Sequence, residues 1–196
     1  MEVTPLSMAR AYAAFANHGA YCAPIAISAI VDRDGKRLPV PSAHCHQVID
    51  RTVADTVTVM LNGVINGGIP GRTGALMALK GRAAAGKTGT TNDHAAVWFC
   101  GFTPNMAAAV WVGDPRGGFA YPMQNVTING VHYGQVFGST MPGPIWHDSM
   151  EAALATAPVV PFDTITNYTD LMTHATGQGG VNYGAIDIPP PERGAE

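Results

Sequence analysis

Gly81-Arg82-Ala83-Ala84-Ala85-Gly86-Lys87-Thr88-Gly89-Thr90-Thr91 lies near the middle of the chain and admits two incompatible readings. Gly81 through Thr88 satisfies G-x-x-x-x-G-K-[ST], the loop whose backbone N–H groups cradle the phosphates of a nucleotide. In that reading Lys87 meets the β- and γ-phosphates and Thr88 holds magnesium. Such a loop needs a buried strand before it and a helix after it. Ala78-Leu79-Lys80 makes a poor buried strand, and Gly89-Thr90-Thr91-Asn92-Asp93 starts a helix poorly. Three alanines also replace the usual loop glycines, and no apolar run ends in a magnesium-binding Asp. The other reading is a strand. Thr88 and Thr90, two apart, then share one face. Gly89 between them lets another backbone approach closely, and Lys87 supplies a fixed positive charge.

The neighbouring sequence favours the strand. Ala83–Thr91, Ala95–Phe102 and Met106–Gly113 are short runs separated by turn residues, Asn92-Asp93 and Thr103-Pro104-Asn105. Connections this short predict antiparallel pairing, because parallel strands need a longer crossover. Ala, Val and Trp in place of clean alternation predict burial on both faces. Trp98 and Trp111 fall at corresponding places in neighbouring strands and read as core packing, as does Cys100. Asp93 and His94 are expected to shape a turn at the end of the motif strand.

Farther out, Thr4 is a good N-cap, Pro5 suits the first helical position, and Gly19 stands where a terminating glycine belongs. Leu6, Ala9, Ala13 and Ala16 recur between them at helical spacing. Ile25–Val31 reads as a strand entering a hairpin through Asp32-Arg33-Asp34-Gly35-Lys36. A second helix is predicted over Arg51–Ile65, closed by Gly67-Gly68, and a third over Ile145–Ala155 after Pro142-Gly143-Pro144. Pairing symmetrically about the hairpin turn brings Cys22 near Cys45 or His46. A cross-strand disulfide and two ordinary thiols both remain open, because Pro39 and Pro41 would disturb the ladder.

Composition narrows the classes of function. The chain has 196 residues, 46% hydrophobic and 13% charged, enough for a core and too apolar for wholesale disorder. A net charge of −3 argues against a dedicated nucleic-acid binder. The longest uncharged apolar stretch near the start, Cys22 to Val31, falls short of the roughly 20 residues that span a bilayer, and no signal peptide is expected. The chain divides at a change of composition. Residues 1–157 form the body, and 158–196 form an acidic tail or linker, with five acidic side chains against Arg193 and a Pro189-Pro190-Pro191 run. His44-Cys45-His46 is a poor metal site, since adjacent strand residues point to opposite faces, so no metal or cofactor is expected.

Five segments in order carry a resemblance: Val3-Thr4-Pro5-Leu6-Ser7-Met8-Ala9, Tyr12-Ala13-Ala14-Phe15-Ala16-Asn17, Ala85 through Asp93, Ala96 through Pro104, and Val110-Trp111-Val112-Gly113-Asp114. Together they resemble the carboxy-terminal part of the transpeptidase domain of class A, bifunctional penicillin-binding proteins, from about Val3 to Ala155. Lys87-Thr88-Gly89 is similar to that family's third motif. The resemblance implies an α+β fold, an antiparallel sheet flanked by helices as in β-lactamases, with Ile25–Val31 as a candidate further strand. It also implies D,D-transpeptidation, the cross-linking of peptidoglycan stem peptides through a serine acyl-enzyme, with β-lactams as substrate mimics. Lys87, Thr88 and Thr90 would bind the substrate carboxylate. Gly89 and Thr91 would complete the binding strand, and the Thr90 N–H would form part of the oxyanion hole. The site would lie in the cell envelope, outside the cytoplasmic membrane of a bacterium.

The departure is as informative. The family's nucleophile lies in Ser-x-x-Lys and its second motif is Ser-x-Asn. Ser7, Ser28, Ser42, Ser139 and Ser149 are followed three places on by Arg, Val, Cys, Pro and Ala, and two places on by Ala, Ile, His, Met and Glu. Neither motif occurs. The chain is therefore expected to be a fragment, inactive alone, that needs the remaining half of its domain as partner. The membrane anchor and glycosyltransferase domain would belong to the parent protein. The alternatives are a non-catalytic binding or scaffold module and the nucleotide-binding loop described above. Arg72, in the Gly71–Gly74 stretch, either fringes the cleft or is a solvated loop charge.

Overall fold

The computed structural model describes residues 3–68 and 70–163. Residues 164–196, most of the expected tail, lie outside the described residues. At the centre three strands, β5 (Ala85–Thr90), β6 (Ala96–Thr103) and β7 (Met106–Gly113), form an antiparallel meander in that order. Lys87 stands opposite Cys100, Gly89 opposite Trp98, and Trp98 opposite Trp111. The turn from β5 to β6 is the 3-10 segment Asn92–His94, with Asp93 and His94 at φ 57° and 56°. The motif is therefore strand rather than phosphate loop. No helix follows Thr88, so the nucleotide reading fails for want of both a loop and a helix N-terminus.

Each face of the sheet is covered differently. On the face shared by Lys87, Gly89, Trp98 and Cys100 lies α1 (Pro5–Ala16), whose Tyr12 ring meets Phe102 edge-on at 6.3 Å. Thr4 caps this helix reciprocally with Ser7: each backbone N–H donates to the other's hydroxyl, at 3.0 and 3.2 Å. Gly19 ends it at φ +86°, where a Cβ would run into the Ile49 carbonyl. On the opposite face Phe99 packs with Trp146 and Met150 of α3 (Pro142–Ala153) and with Ile65 of α2 (Arg51–Asn66). Trp146 is fully buried, 5.0 Å from Phe99, and donates its indole N–H to the Gly101 carbonyl at 3.3 Å. Burial of a side chain of this kind contributes on the order of 2–3 kcal/mol. The same face continues through Val97, Met123 and Val136 beneath a hairpin, β8 (Gln124–Ile128) and β9 (Val131–Gln135).

Several expectations change. Of Ile25–Val31 only β2 (Ile30–Val31) is strand. It pairs with β3 (Arg37–Leu38) around the Asp32–Lys36 turn and takes no place in the central sheet. Pro24 on one arm and Pro39 and Pro41 on the other have no N–H to give, so the ladder stops. A second short ladder, β1 (Ala20–Tyr21) with β4 (His46–Gln47), restores the pairing below them. Its next rung is Cys22–Cys45, a disulfide with Cα atoms 4.1 Å apart. Burial on both faces holds for β6 but not for β7, which is half-exposed at the sheet edge. Trp111 is 38% exposed and Trp98 half-buried, so the core tryptophan is Trp146 instead. α3 begins at Pro142, earlier than expected, because both prolines fit its first turn. The β8–β9 hairpin was not expected, although Asn129-Gly130, at φ 49° and 79°, is a strong two-residue turn signal.

Candidate substrate-binding cleft

A cleft of about 330 Å³ runs along β5, walled by Val3, Met8 and Tyr12 on the α1 side. Its other lining comes from Lys87 through Thr91 with Trp98 and Cys100. All five residues singled out in the sequence thus border one cleft. The strand alternation settles which main-chain groups face it. Thr91 N–H donates to the Ala96 carbonyl at 2.9 Å, so Gly89 and Lys87 also aim their backbone at β6. The N–H and C=O groups of Thr88 and Thr90 accordingly point to the outer edge. Lower on that edge α2 intervenes: Asn62 donates to the Ala84 carbonyl at 2.8 Å, and Ala84 N–H donates to Asn66 at 3.3 Å. The edge is closed at Ala84 and open at Thr88–Thr90.

Lys87 and Thr88 sit on opposite faces of the strand, yet the lysine chain curls over the edge to join them. Its ammonium donates to the Thr88 carbonyl at 3.1 Å and to the Thr88 hydroxyl at 3.0 Å. The Thr88 hydroxyl in turn donates to that of Thr73 at 3.2 Å. No carboxylate pairs with Lys87 among the described residues. An ammonium, two hydroxyls and an open strand edge make a suitable seat for an external carboxylate. Thr90 and Thr91 are exposed, and the Thr91 carbonyl accepts from His94 N–H at 3.0 Å to set the turn. Beneath Lys87 the cleft is neutral at ordinary pH. Burial pushes the Cys100 thiol up to about 11, and burial with the nearby Cys100 pushes the Tyr12 phenol up to about 12.

Gly89 has a second role besides admitting a backbone: a Cβ there would stand 3.2 Å from the Trp98 Cβ. Gly138, which the sequence reading passed over, backs the strand so closely that a Cβ would press on Thr88 and on the Trp98 carbonyl. Thr73, Asn62 and Asn66 were also missed, since nothing in their local pattern marks them. Arg72 neither fringes the cleft nor lies free in solvent; its Nε donates to the Ile65 carbonyl at 2.9 Å, near the end of α2. His44 and His46 flank a Cys45 whose sulfur is bonded to Cys22.

An antiparallel sheet between helices, with a Lys-Thr-Gly strand open along one edge, places the chain among penicillin-binding folds. The chain belongs to the penicillin-binding protein transpeptidase domain family, whose model matches residues 1–121. It is 35% identical over 164 residues to penicillin-binding protein 1A of Aquifex aeolicus, covering 83% of this chain and 20% of that protein. It is likewise 35% identical over 159 residues to penicillin-binding protein 1A of Neisseria meningitidis, covering 78% and 18%. The chain thus spans about a fifth of the length of these curated relatives. Among solved structures, the penicillin-binding protein PonA1 of Mycobacterium tuberculosis superposes with a TM-score of 0.68 at 29% identity, covering 98% of this chain and 45% of that one. Penicillin-binding protein 1A of Haemophilus influenzae gives 0.64 at 26%, covering 84% and 28%. Penicillin-binding protein 3 of Mycobacterium tuberculosis, solved with aztreonam, shares the fold, with a TM-score of 0.59 at 24% identity and coverage of 82% and 37%.

Proposed function

We propose that this chain supplies the substrate-binding strand of a serine D,D-transpeptidase that cross-links peptidoglycan stem peptides in the bacterial cell envelope and is acylated by β-lactams. The observation that carries the reading is the Lys87 ammonium drawn over an open strand edge onto Thr88. Lys87, Thr88 and Thr90 hold the carboxylate of the stem peptide or of the antibiotic. Gly89 keeps the strand slim, Thr91 turns the chain at its end, and the outward Thr90 N–H donates to the developing oxyanion. A donor of that kind contributes about 3–4 kcal/mol to acyl transfer. The acylating serine belongs to a Ser-x-x-Lys that these 196 residues do not contain, so the chain alone forms no acyl-enzyme.

The test is intact-mass spectrometry after benzylpenicillin treatment, on this chain alone and on this chain joined to an upstream transpeptidase half carrying Ser-x-x-Lys. An adduct on the upstream half only when both are present supports the reading. An adduct on this chain alone would sink it. In the joined protein Lys87→Ala is expected to slow acylation roughly 30-fold or more, the effect of removing one partner of a charge-assisted contact. Unchanged acylation would take Lys87 out of the site.

A further inference from the structure

The cleft has an apolar side that carboxylate binding does not use. Trp98 lies on the same sheet face as Lys87 and Gly89, and its indole lines the cleft half-buried. Its cross-strand partner is Gly89, so no side chain of β5 covers it. Met8 and Tyr12 continue the same wall from α1, and Tyr12 stays uncharged because burial holds its phenol near 12. Lys87 is the diagonal neighbour of Trp98 across the ladder, which sets the two residues about 7–8 Å apart. The cleft lining thus includes a lysine and, diagonal to it across the ladder, a half-buried indole.

We propose that Trp98 is a specificity-determining residue, favouring acyl donors that carry an aromatic or broad apolar group beyond the carboxylate. This rests on the transpeptidase reading above. Stacking on the indole adds contact for such donors and none for those with a bare amine in the same place. Gly89 is part of the device, since even a methyl there would crowd the Trp98 Cβ.

The experiment uses the joined protein described above and a matched pair of probes, benzylpenicillin and 6-aminopenicillanic acid, which share a nucleus and differ by the phenylacetyl group. The readout is the ratio of their second-order acylation rates. Trp98→Ala is expected to lower that ratio about threefold to tenfold, and Trp98→Phe to restore most of it. A ratio unchanged in Trp98→Ala, with both rates falling together, would assign Trp98 a structural role and overturn the proposal. So would a Trp98→Phe variant no better than Trp98→Ala. If the unmutated protein is acylated by neither probe, the transpeptidase reading itself falls and this assignment with it.

Discussion

Cys100 and Lys87 face each other across the β5–β6 ladder, one a neutral thiol under the cleft and the other a cation at its rim. Their difference is a matter of water. Lys87 is exposed, whereas Cys100 is 3% exposed and burial raises its thiol to about 11. Cys100 is therefore not a nucleophile at neutral pH. In the unfolded chain the thiol and the Tyr12 phenol lose their protons near their ordinary values of 9.0 and 10.0. Between those values and the folded ones the unfolded state binds fewer protons than the native state, so stability falls as pH rises. Thermal melts should be flat up to about pH 9 and decline from there towards pH 12. Cys100→Ala should shallow that decline, and a melting temperature independent of pH over this range would refute the assignment. The same burial predicts that Ellman's reagent at pH 8 labels Cys100 only after denaturation.

At the scale of elements, two arginines that precede the motif strand tie their segments to helix ends. Arg82 donates to the Leu154 carbonyl at the end of α3 at 2.7 Å, and beyond the helix to Pro158 at 2.8 Å and to Ala157. Arg72 donates to one carbonyl in the last turn of α2. A guanidinium at a helix C-terminus also meets the negative end of the helix dipole. Arg82→Ala should cost about 1.5–3 kcal/mol in urea unfolding with an unchanged m-value, whereas a loss below about 0.5 kcal/mol would mean that water replaces the cap. α1 was legible in the sequence because its signals are local: Thr4, Pro5 and Gly19 act through their own turns. The Arg82 contact at the end of α3 was not legible, because it meets carbonyls more than 70 residues away.

Across the whole molecule, the central sheet is a covered surface on one side and a working surface on the other. Trp146 and the β8–β9 hairpin seal the first, while α1 covers only part of the second. Segment 158–163 continues along the body: the Phe162 ring meets Phe102 at 5.6 Å and Asp163 pairs with Arg51 at 2.9 Å. A covalent tie, Cys22–Cys45, closes a loop with a sequence separation of 23. Cross-linking a loop of that size restricts the unfolded chain, so replacing both cysteines with alanine should cost about 3 kcal/mol. Denaturation with and without reductant checks this, and identical midpoints would show the bond to be immaterial. A disulfide of this kind persists in an oxidising compartment, which agrees with the proposed envelope location.

The amino-acid sequence by itself determined α1, the antiparallel β5–β6–β7 run, the five residues at the cleft and the absence of both serine motifs. Caps, turns and strand alternation depend on neighbours along the chain, so a linear reading reaches them. It left Cys22 and Cys45 undecided, because two short ladders whose registers differ by one residue put the disulfide on the next rung of the β1–β4 pair. It misplaced Trp98 and Trp111, since which face of a strand is covered depends on helices that arrive from elsewhere in the chain. The open edge at Thr88 and Thr90 was likewise decided only in three dimensions, where Asn62 and Asn66 close the strand at Ala84 and extend no further.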